Sequence, residues 1–417
     1  MEGEKRKAIS VEVIKSGVRE ISDDSFEEFK LLIETLGIEI VGEATQVVRT
    51  PNYAYFLGKG KVNELRQIVK LLNADLVFID TKLTYLQLRN LTKEVGVPVI
   101  DRPHLILMIF SMRARTKEAK LQVELSQLKM HLPEIVHSGM YLDQQTGSEI
   151  GLKGPGEKRT ELKRRYIEKR INTLEKKLKE IAKQRELRRK KRRKSKIPII
   201  AIAGYTNSGK STLLNKLTKP DAYVENMLFS TLDTLVREGE LSENKKVLFV
   251  DTIGFIRDLP PMLIYAFHST LEEILDAWVI LHVVDASSPD FSGKIESVMK
   301  TLNELGAFNI PRILVFNKID KISAEKFLFL KNKFPEAVFI SALKGEGIEE
   351  LKNKIRNKIS SLYVKLTLLI PYSRQDVVSA IYGVANVISV KNTERGTEIV
   401  AEGFRNSMFQ FKKYAIR

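Results

Sequence analysis

Ile199-Ile-Ala-Ile-Ala-Gly204-Tyr-Thr-Asn-Ser-Gly209-Lys-Ser-Thr-Leu213 decides the fold. A short apolar run rich in β-branched isoleucine reads as a buried strand, and it breaks at Gly204 into a segment that fits G-x-x-x-x-G-K-[ST]. That pattern is a phosphate cradle. Glycines at both ends let the backbone wrap an anion with its N–H groups, and a helix opening at Lys210 turns its positive end toward the same anion. Gly204, Tyr205, Thr206, Asn207, Ser208, Gly209, Lys210, Ser211 and Thr212 are the candidate phosphate-binding residues. Lys210 is expected to reach the β- and γ-phosphates, and the Ser211 hydroxyl to take one Mg²⁺ position. The alternative is an ordinary strand-loop-helix crossover.

Two further strand ends, in order, decide against that alternative. Val247-Leu-Phe-Val-Asp251-Thr252-Ile253-Gly254 is a buried strand ending in an acid, which suits a carboxylate holding Mg²⁺ through water and a glycine N–H meeting the γ-phosphate. Ile313-Leu-Val-Phe-Asn317-Lys318-Ile319-Asp320 ends in a base reader: Asn317 suits the O6/N7 edge of guanine, and the Asp320 carboxylate accepts from N1–H and the 2-amino group. Adenine offers neither donor, and leaving a buried carboxylate without them discriminates strongly. Ser341-Ala342-Leu343 follows the apolar Val338-Phe-Ile, where a backbone N–H is expected to meet the base oxygen. Between cradle and second strand lies Phe229-Ser230-Thr231-Leu232-Asp233-Thr234, where a threonine closes over Mg²⁺ and the γ-phosphate; Thr231 is the choice and Thr234 the reserve. Lys210, Thr231 and Gly254 are the catalytic candidates; Ser211, Thr231 and Asp251 are the Mg²⁺ candidates.

The chain has 417 residues, 43% of them hydrophobic, enough for several cores. Its apolar runs are too short for a membrane helix and no signal-peptide core follows the N-terminus, so a cytoplasmic protein is expected, and a monomer is the expectation for its assembly. Zero cysteines exclude disulfides and thiolate zinc, and five scattered histidines offer no ligand spacing. A formal net charge of +17 calls for an anionic partner.

Four domains are expected: residues 1–135, 136–196, 197–360 and 361–417. The first alternates strand and helix patterns, a small α/β sandwich with a mostly parallel sheet, including a strand over Ile38 to Val41. Gly58-Lys-Gly-Lys61 reads as a glycine turn at a helix start in preference to a phosphate site. One helix is expected from His104 to Leu132, stopped at Pro133, and a second from Glu157. Leu121, Leu125 and Leu128 on the first, and Ile167, Ile171, Leu174, Leu178 and Ile181 on the second, make the seam of an antiparallel hairpin. Arg188, Arg189, Lys190, Lys191, Arg192, Arg193 and Lys194 belong to a stretch with eight basic residues in ten, denser than a solvated face needs; RNA contact is the reading, a basic linker the alternative. The last domain reads as a small α+β unit.

Together the motifs resemble the HflX family of ribosome-associated P-loop GTPases over nearly the whole chain. The resemblance rests on Phe56-Leu-Gly-Lys-Gly-Lys-Val62, Val99-Ile-Asp-Arg-Pro103, Arg113-Ala-Arg-Thr-Lys-Glu-Ala-Lys-Leu-Gln-Val-Glu-Leu125 and Gly151-Leu-Lys-Gly-Pro-Gly-Glu157. It rests equally on Gly204 to Ser211, Phe229 to Asp233 and Asp251-Thr-Ile-Gly-Phe-Ile-Arg257. It implies GTP hydrolysis to GDP, binding to the large ribosomal subunit and its RNA with the hairpin region near the peptidyl-transferase centre, and ribosome splitting or rescue. Another class of function is a GTP-dependent binding switch in subunit assembly or hibernation, without splitting. A GTPase held on acidic lipid by the basic run is a third, which no amphipathic anchor supports. In phosphoryl transfer of this type a glutamine after the second-strand glycine often orients water. Phe255 stands there, so hydrolysis is expected to be slow alone and stimulated by the ribosome. Asn207 resembles the potassium-binding asparagine of related GTPases; the equal alternative is that it bonds its own loop.

Overall fold

The computed structural model describes residues 5–15, 23–145, 155–194, 197–218, 235–241, 246–252, 254–256 and 272–416. Three sheets and a helical hairpin organise them. In the first sheet β1 (Lys7–Lys15), β2 (Glu39–Val48), β3 (Leu76–Ile79) and β4 (Val99–Asp101) lie in the order β2-β1-β3-β4, all parallel. Alternation places Ala8, Leu76 and Phe78 on one face, against α1 (Asp23–Thr35) and α4 (Arg102–Arg113). Ile9, Val11, Val77 and Ile79 face the other way, against α2 (Lys59–Leu72) and α3 (Tyr85–Val95). Gly58 caps α2 in an extended conformation, so the Gly-Lys-Gly-Lys segment is a helix start. β2 runs well past the short strand that its apolar start indicates. Glu43 and Gln46 interrupt the hydrophobic pattern, but β2 pairs along β1 to Val48 and buries Ala44 and Val48.

The hairpin corrects the sequence reading. Instead of one helix from His104 stopping at Pro133, the chain forms α4, a break, and α5 (Lys117–Gln145), which runs through Pro133. The break has a local cause: Ala114 is extended at ψ 107, and Thr116 Oγ1 accepts from the Ala119 amide (3.1 Å), starting a new helix. Pro133 removes one helical hydrogen bond, a loss that packing of the paired helix overrides. α6 (Pro155–Lys194) returns antiparallel, with Glu118 paired to Arg185 (2.7 Å) and Lys129 to Glu175 (2.8 Å). Leu121, Leu125, Ile171 and Leu174 are buried between the helices, flanked by Leu128, Ile167, Leu178 and Ile181.

The second sheet has the order β10-β9-β8-β5-β7-β6. β5 (Ile199–Gly204), β7 (Lys246–Asp251), β8 (Val279–Asp285), β9 (Arg312–Asn317) and β10 (Val338–Phe339) are parallel, and β6 (Leu235–Glu240) is antiparallel at the edge. β5 is buried along its whole length, as its unbroken apolar run requires. Its carboxyl end lies between those of β7 and β8, where an open α/β sheet binds ligands. The third sheet, β11 (Tyr363–Ile370), β13 (Gly396–Phe404) and β12 (Ala385–Thr393), is antiparallel, with the helix Gln375–Val384 packing Val377 and Ile381 against it.

Candidate functional site

The loop 204–209 joins β5 to α7 (Lys210–Leu217). Two left-handed residues turn it, Asn207 at φ 59 and Gly209 at φ 87. A side chain at Gly209 is excluded twice over, by the positive φ and by the Asn317 amide against which a Cβ would collide. Lys210 is buried, and its Nζ donates to the Tyr205 carbonyl (2.8 Å), across the mouth of the loop. Burial pushes its ammonium down to about 8; the Asp251 carboxylate opposes that shift and Lys318 adds to it.

Ser211 Oγ donates to Asp251 Oδ2 (2.9 Å), so β7 and α7 bring the two Mg²⁺ candidates into contact. Thr252 is spent on the scaffold, its hydroxyl donating to the Ile202 carbonyl (2.9 Å). Gly254 comes so close to Lys210 that an added Cβ would stand 3.0 Å from Nζ. Within the loop, the Thr206 and Ser208 hydroxyls are buried without a hydrogen-bond partner. Such orphans fit a site built for a polar ligand.

The candidate base-reading segment also ties two loops together. Asn317 Nδ2 donates to the Ser208 carbonyl (2.8 Å), and its Oδ1 accepts from the Ala342 amide (2.9 Å). It therefore ties the phosphate loop to the 341–343 loop. Asp320 Oδ1 accepts from Ser341 Oγ (2.6 Å), Ile319 begins a single 3-10 turn, and Leu343 is exposed. Lys318, at φ 65, pairs with Asp285 Oδ2 (2.8 Å). Burial works against the Asp285 carboxylate, but Lys318 and Ser287 outweigh it and hold its pKa below the usual range. Asp285 went unremarked in the sequence, although an acid ending the apolar strand Val279–Asp285 was a legible signal.

Phe255 is 4% exposed, packed with Tyr205 and Ile274. Its N–H donates to the Gly204 carbonyl (3.1 Å) and its carbonyl accepts from the Thr206 amide (2.7 Å). Ile256, next in the chain, sits in the core formed by α1, α4 and the first sheet. Phe229, Ser230, Thr231, Leu232, Asp233, Thr234 and Ile253 lie outside the described residues. So do the side chains of Arg188, Arg189, Lys190, Lys191, Arg192, Arg193 and Lys194, whose backbone belongs to α6. Among the described residues no group of three or more His, Asp or Glu side chains could hold a metal by itself, and no helix is long and apolar enough to cross a membrane.

Four families match in succession: GTP-binding GTPase N-terminal over residues 23–111, GTP-binding GTPase Middle Region over 113–192, 50S ribosome-binding GTPase over 199–318 and HflX C-terminal domain over 329–406. GTPase HflX of Caldanaerobacter subterraneus is 42% identical over 96% of this chain and 91% of its own length. GTPase HflX of Escherichia coli is 39% identical over 84% of this chain and 82% of its own. A GTP-binding protein from Sulfolobus solfataricus in complex with GDP is a structural neighbour at TM-score 0.45 and 27% identity, covering 85% of this chain and 99% of that one. With identity at this level over nearly its full length, and its phosphate loop at the centre of the second sheet, the chain belongs to the HflX family of GTPases.

Proposed function

We propose that the protein is a Mg²⁺-dependent GTPase that binds the large ribosomal subunit and dissociates or rescues ribosomes, hydrolysing GTP slowly alone and faster on the ribosome. The observation that carries the reading is Phe255, withdrawn into the core at the position where a glutamine would orient water. Its ring can neither donate to water nor accept from it, and its backbone is bonded to the loop. The attacking water therefore needs a partner's help. The 50S ribosome-binding description of the matched GTPase family, together with the net charge of +17, supports the large subunit as that partner.

The buried ammonium of Lys210, the orphaned hydroxyls of Thr206 and Ser208, and the Ser211–Asp251 pair fit a polyphosphate and its cation. Ser211 would hold Mg²⁺ directly and Asp251 through water, with Thr231 as the third candidate. Bound there, Mg²⁺ would neutralise charge on the β- and γ-phosphate oxygens. Lys210 would add its own charge, and the Gly254 N–H would meet the γ-phosphate. Asn317 and Asp320 would read the guanine, Asn317 at the O6/N7 edge while also holding the loops that frame the base. Asn207, exposed at the loop's left-handed turn, is the candidate K⁺ ligand. The basic end of α6, from Arg188 to Lys194, is the candidate RNA contact.

Sedimentation of 70S ribosomes through a gradient tests this function. With the protein and a non-hydrolysable GTP analogue, the 70S peak is expected to give way to free subunits, with the protein in the large-subunit fraction. An intact 70S peak with protein on the large subunit alone would instead establish binding without splitting.

A further inference from the structure

Asp285 ends β8 directly beside Asn317, its partner in the parallel register with β9, and both of its carboxylate oxygens are engaged. Oδ2 takes the Lys318 ammonium at 2.8 Å. Oδ1 accepts from the Ser287 amide (2.9 Å) and from Ser287 Oγ (2.6 Å). The loop carrying Ser287 is itself held from the helix Ala324–Lys333, where Lys326 Nζ donates to the Ser287 and Ser288 carbonyls (3.2 and 3.3 Å). Backbone joins the two strand ends as well, the Ala286 amide donating to the Asn317 carbonyl (2.8 Å). At the other end of the ion pair, Lys318 has φ 65 and ψ 36, a left-handed conformation that a residue with a Cβ adopts only at a cost. Such strain persists where surrounding contacts over-determine it, and the Asp285 pair is one of those contacts.

We propose that Asp285 is a positioning residue for guanine recognition, holding Lys318 in its left-handed turn so that Asn317 before it and Asp320 after it meet the base together. The inference rests on the reading of Asn317 to Asp320 as the guanine-binding segment. Asn317 ends β9 and the 3-10 turn Ile319–Lys321 starts two residues on, so Lys318 alone sets the angle between them. Asn317 is fixed by its bonds to Ser208 and Ala342, and a change in the Lys318 backbone would therefore swing Asp320 relative to it. A lysine stem is flexible, and a fixed acceptor at its far end removes that freedom. With Ser287 and Lys326 anchoring the carboxylate, the acceptor is in place before nucleotide arrives, which lowers the ordering cost of binding. The Lys318 and Asp285 side chains are 18% and 19% exposed, so salt screens the pair less than it would a surface pair.

The test compares dissociation constants for GTP, GDP, ITP and ATP in the unaltered protein and in Asp285→Asn, with thermal midpoints measured in parallel. Asp285→Asn keeps the side chain's shape and an oxygen for Ser287 but removes the charge opposite Lys318. ITP keeps the N1–H of GTP and lacks its 2-amino group, so the GTP-to-ITP preference reports how well the Asp320 carboxylate is aligned. In Asp285→Asn, GTP and GDP affinity are expected to fall by a similar factor, about 3- to 10-fold, and the preference for GTP over ITP to narrow about threefold or more. Ser287→Ala keeps the ion pair and loosens its acceptor, and is expected to narrow the same preference by less. A purely structural role would lower the thermal midpoint and leave that preference alone. An unchanged GTP-to-ITP preference in Asp285→Asn would therefore overturn the proposal, whether or not affinity falls. If the unaltered protein bound ATP as tightly as GTP, the guanine reading itself would fall, an outcome distinct from failure of the Asp285 inference.

Discussion

Lys210 and Gly209 carry the site's most local consequences. With its ammonium lowered to about 8 by burial, Lys210 is charged below that pH whether or not nucleotide is present. Phosphates beside it raise its pKa, so above pH 8 binding must take up a proton and GTP affinity falls as pH rises, by up to about tenfold per unit. Isothermal titration at pH 7 and pH 9 is expected to give the weaker binding at pH 9, with a flatter slope in Lys210→Arg; equal affinities would contradict the burial argument. Gly209→Ala forces a Cβ into the Asn317 amide at a positive φ. It is expected to abolish measurable GTP binding in a fluorescence titration while the protein still folds. The sequence made these two residues legible because the motif specifies chemistry at fixed spacing. Asn317 was legible only in part: its residue type pointed to a base edge, and its side chain also bonds Ser208 and Ala342. That arrangement depends on three loops converging, which no single segment encodes.

Among the elements, the hairpin shows where periodicity suffices and where it does not. The seam at Leu121, Leu125, Ile171 and Leu174 was readable from spacing alone, and these side chains are the buried ones. The break between α4 and α5 was not, because the apolar pattern runs across it. Only the Thr116 cap and the extended Ala114 mark it. Pro133 misled in the opposite direction: proline ends an isolated helix, but here α6 lies alongside and supplies the packing. Leu174 is fully buried in that seam, so Leu174→Ala is expected to cost about 2–5 kcal/mol of hairpin stability. Hydrogen exchange of α5 and α6 amides would register it as lost protection confined to those helices; no change would mean the hairpin is held elsewhere. The exposed ion pairs along α6, such as Arg164 with Glu161, contribute little beside it.

At the scale of the whole molecule, the parallel sheets followed from their apolar strands, but the joints between them did not. Ile256 enters the core of the first sheet's layer directly after Phe255 has bonded to the phosphate loop. Arg185 of α6 pairs with Glu118 (2.7 Å) and approaches Glu273 (3.9 Å), which precedes β8. Each joint connects residues far apart in the chain, and neither periodicity nor motif spacing reports a contact of that kind. Ile256 ties the segment after Gly254 to the first sheet, and Glu273 ties the turn before β8 to the hairpin. The most direct test is GTP turnover by the purified protein in potassium buffer, with and without large ribosomal subunits. Turnover is expected to be slow alone and to rise tenfold or more on adding subunits, a rough lower bound for completing a charge-stabilised site. Equal rates in the two conditions would contradict the claim that Phe255 leaves the site for a partner to complete.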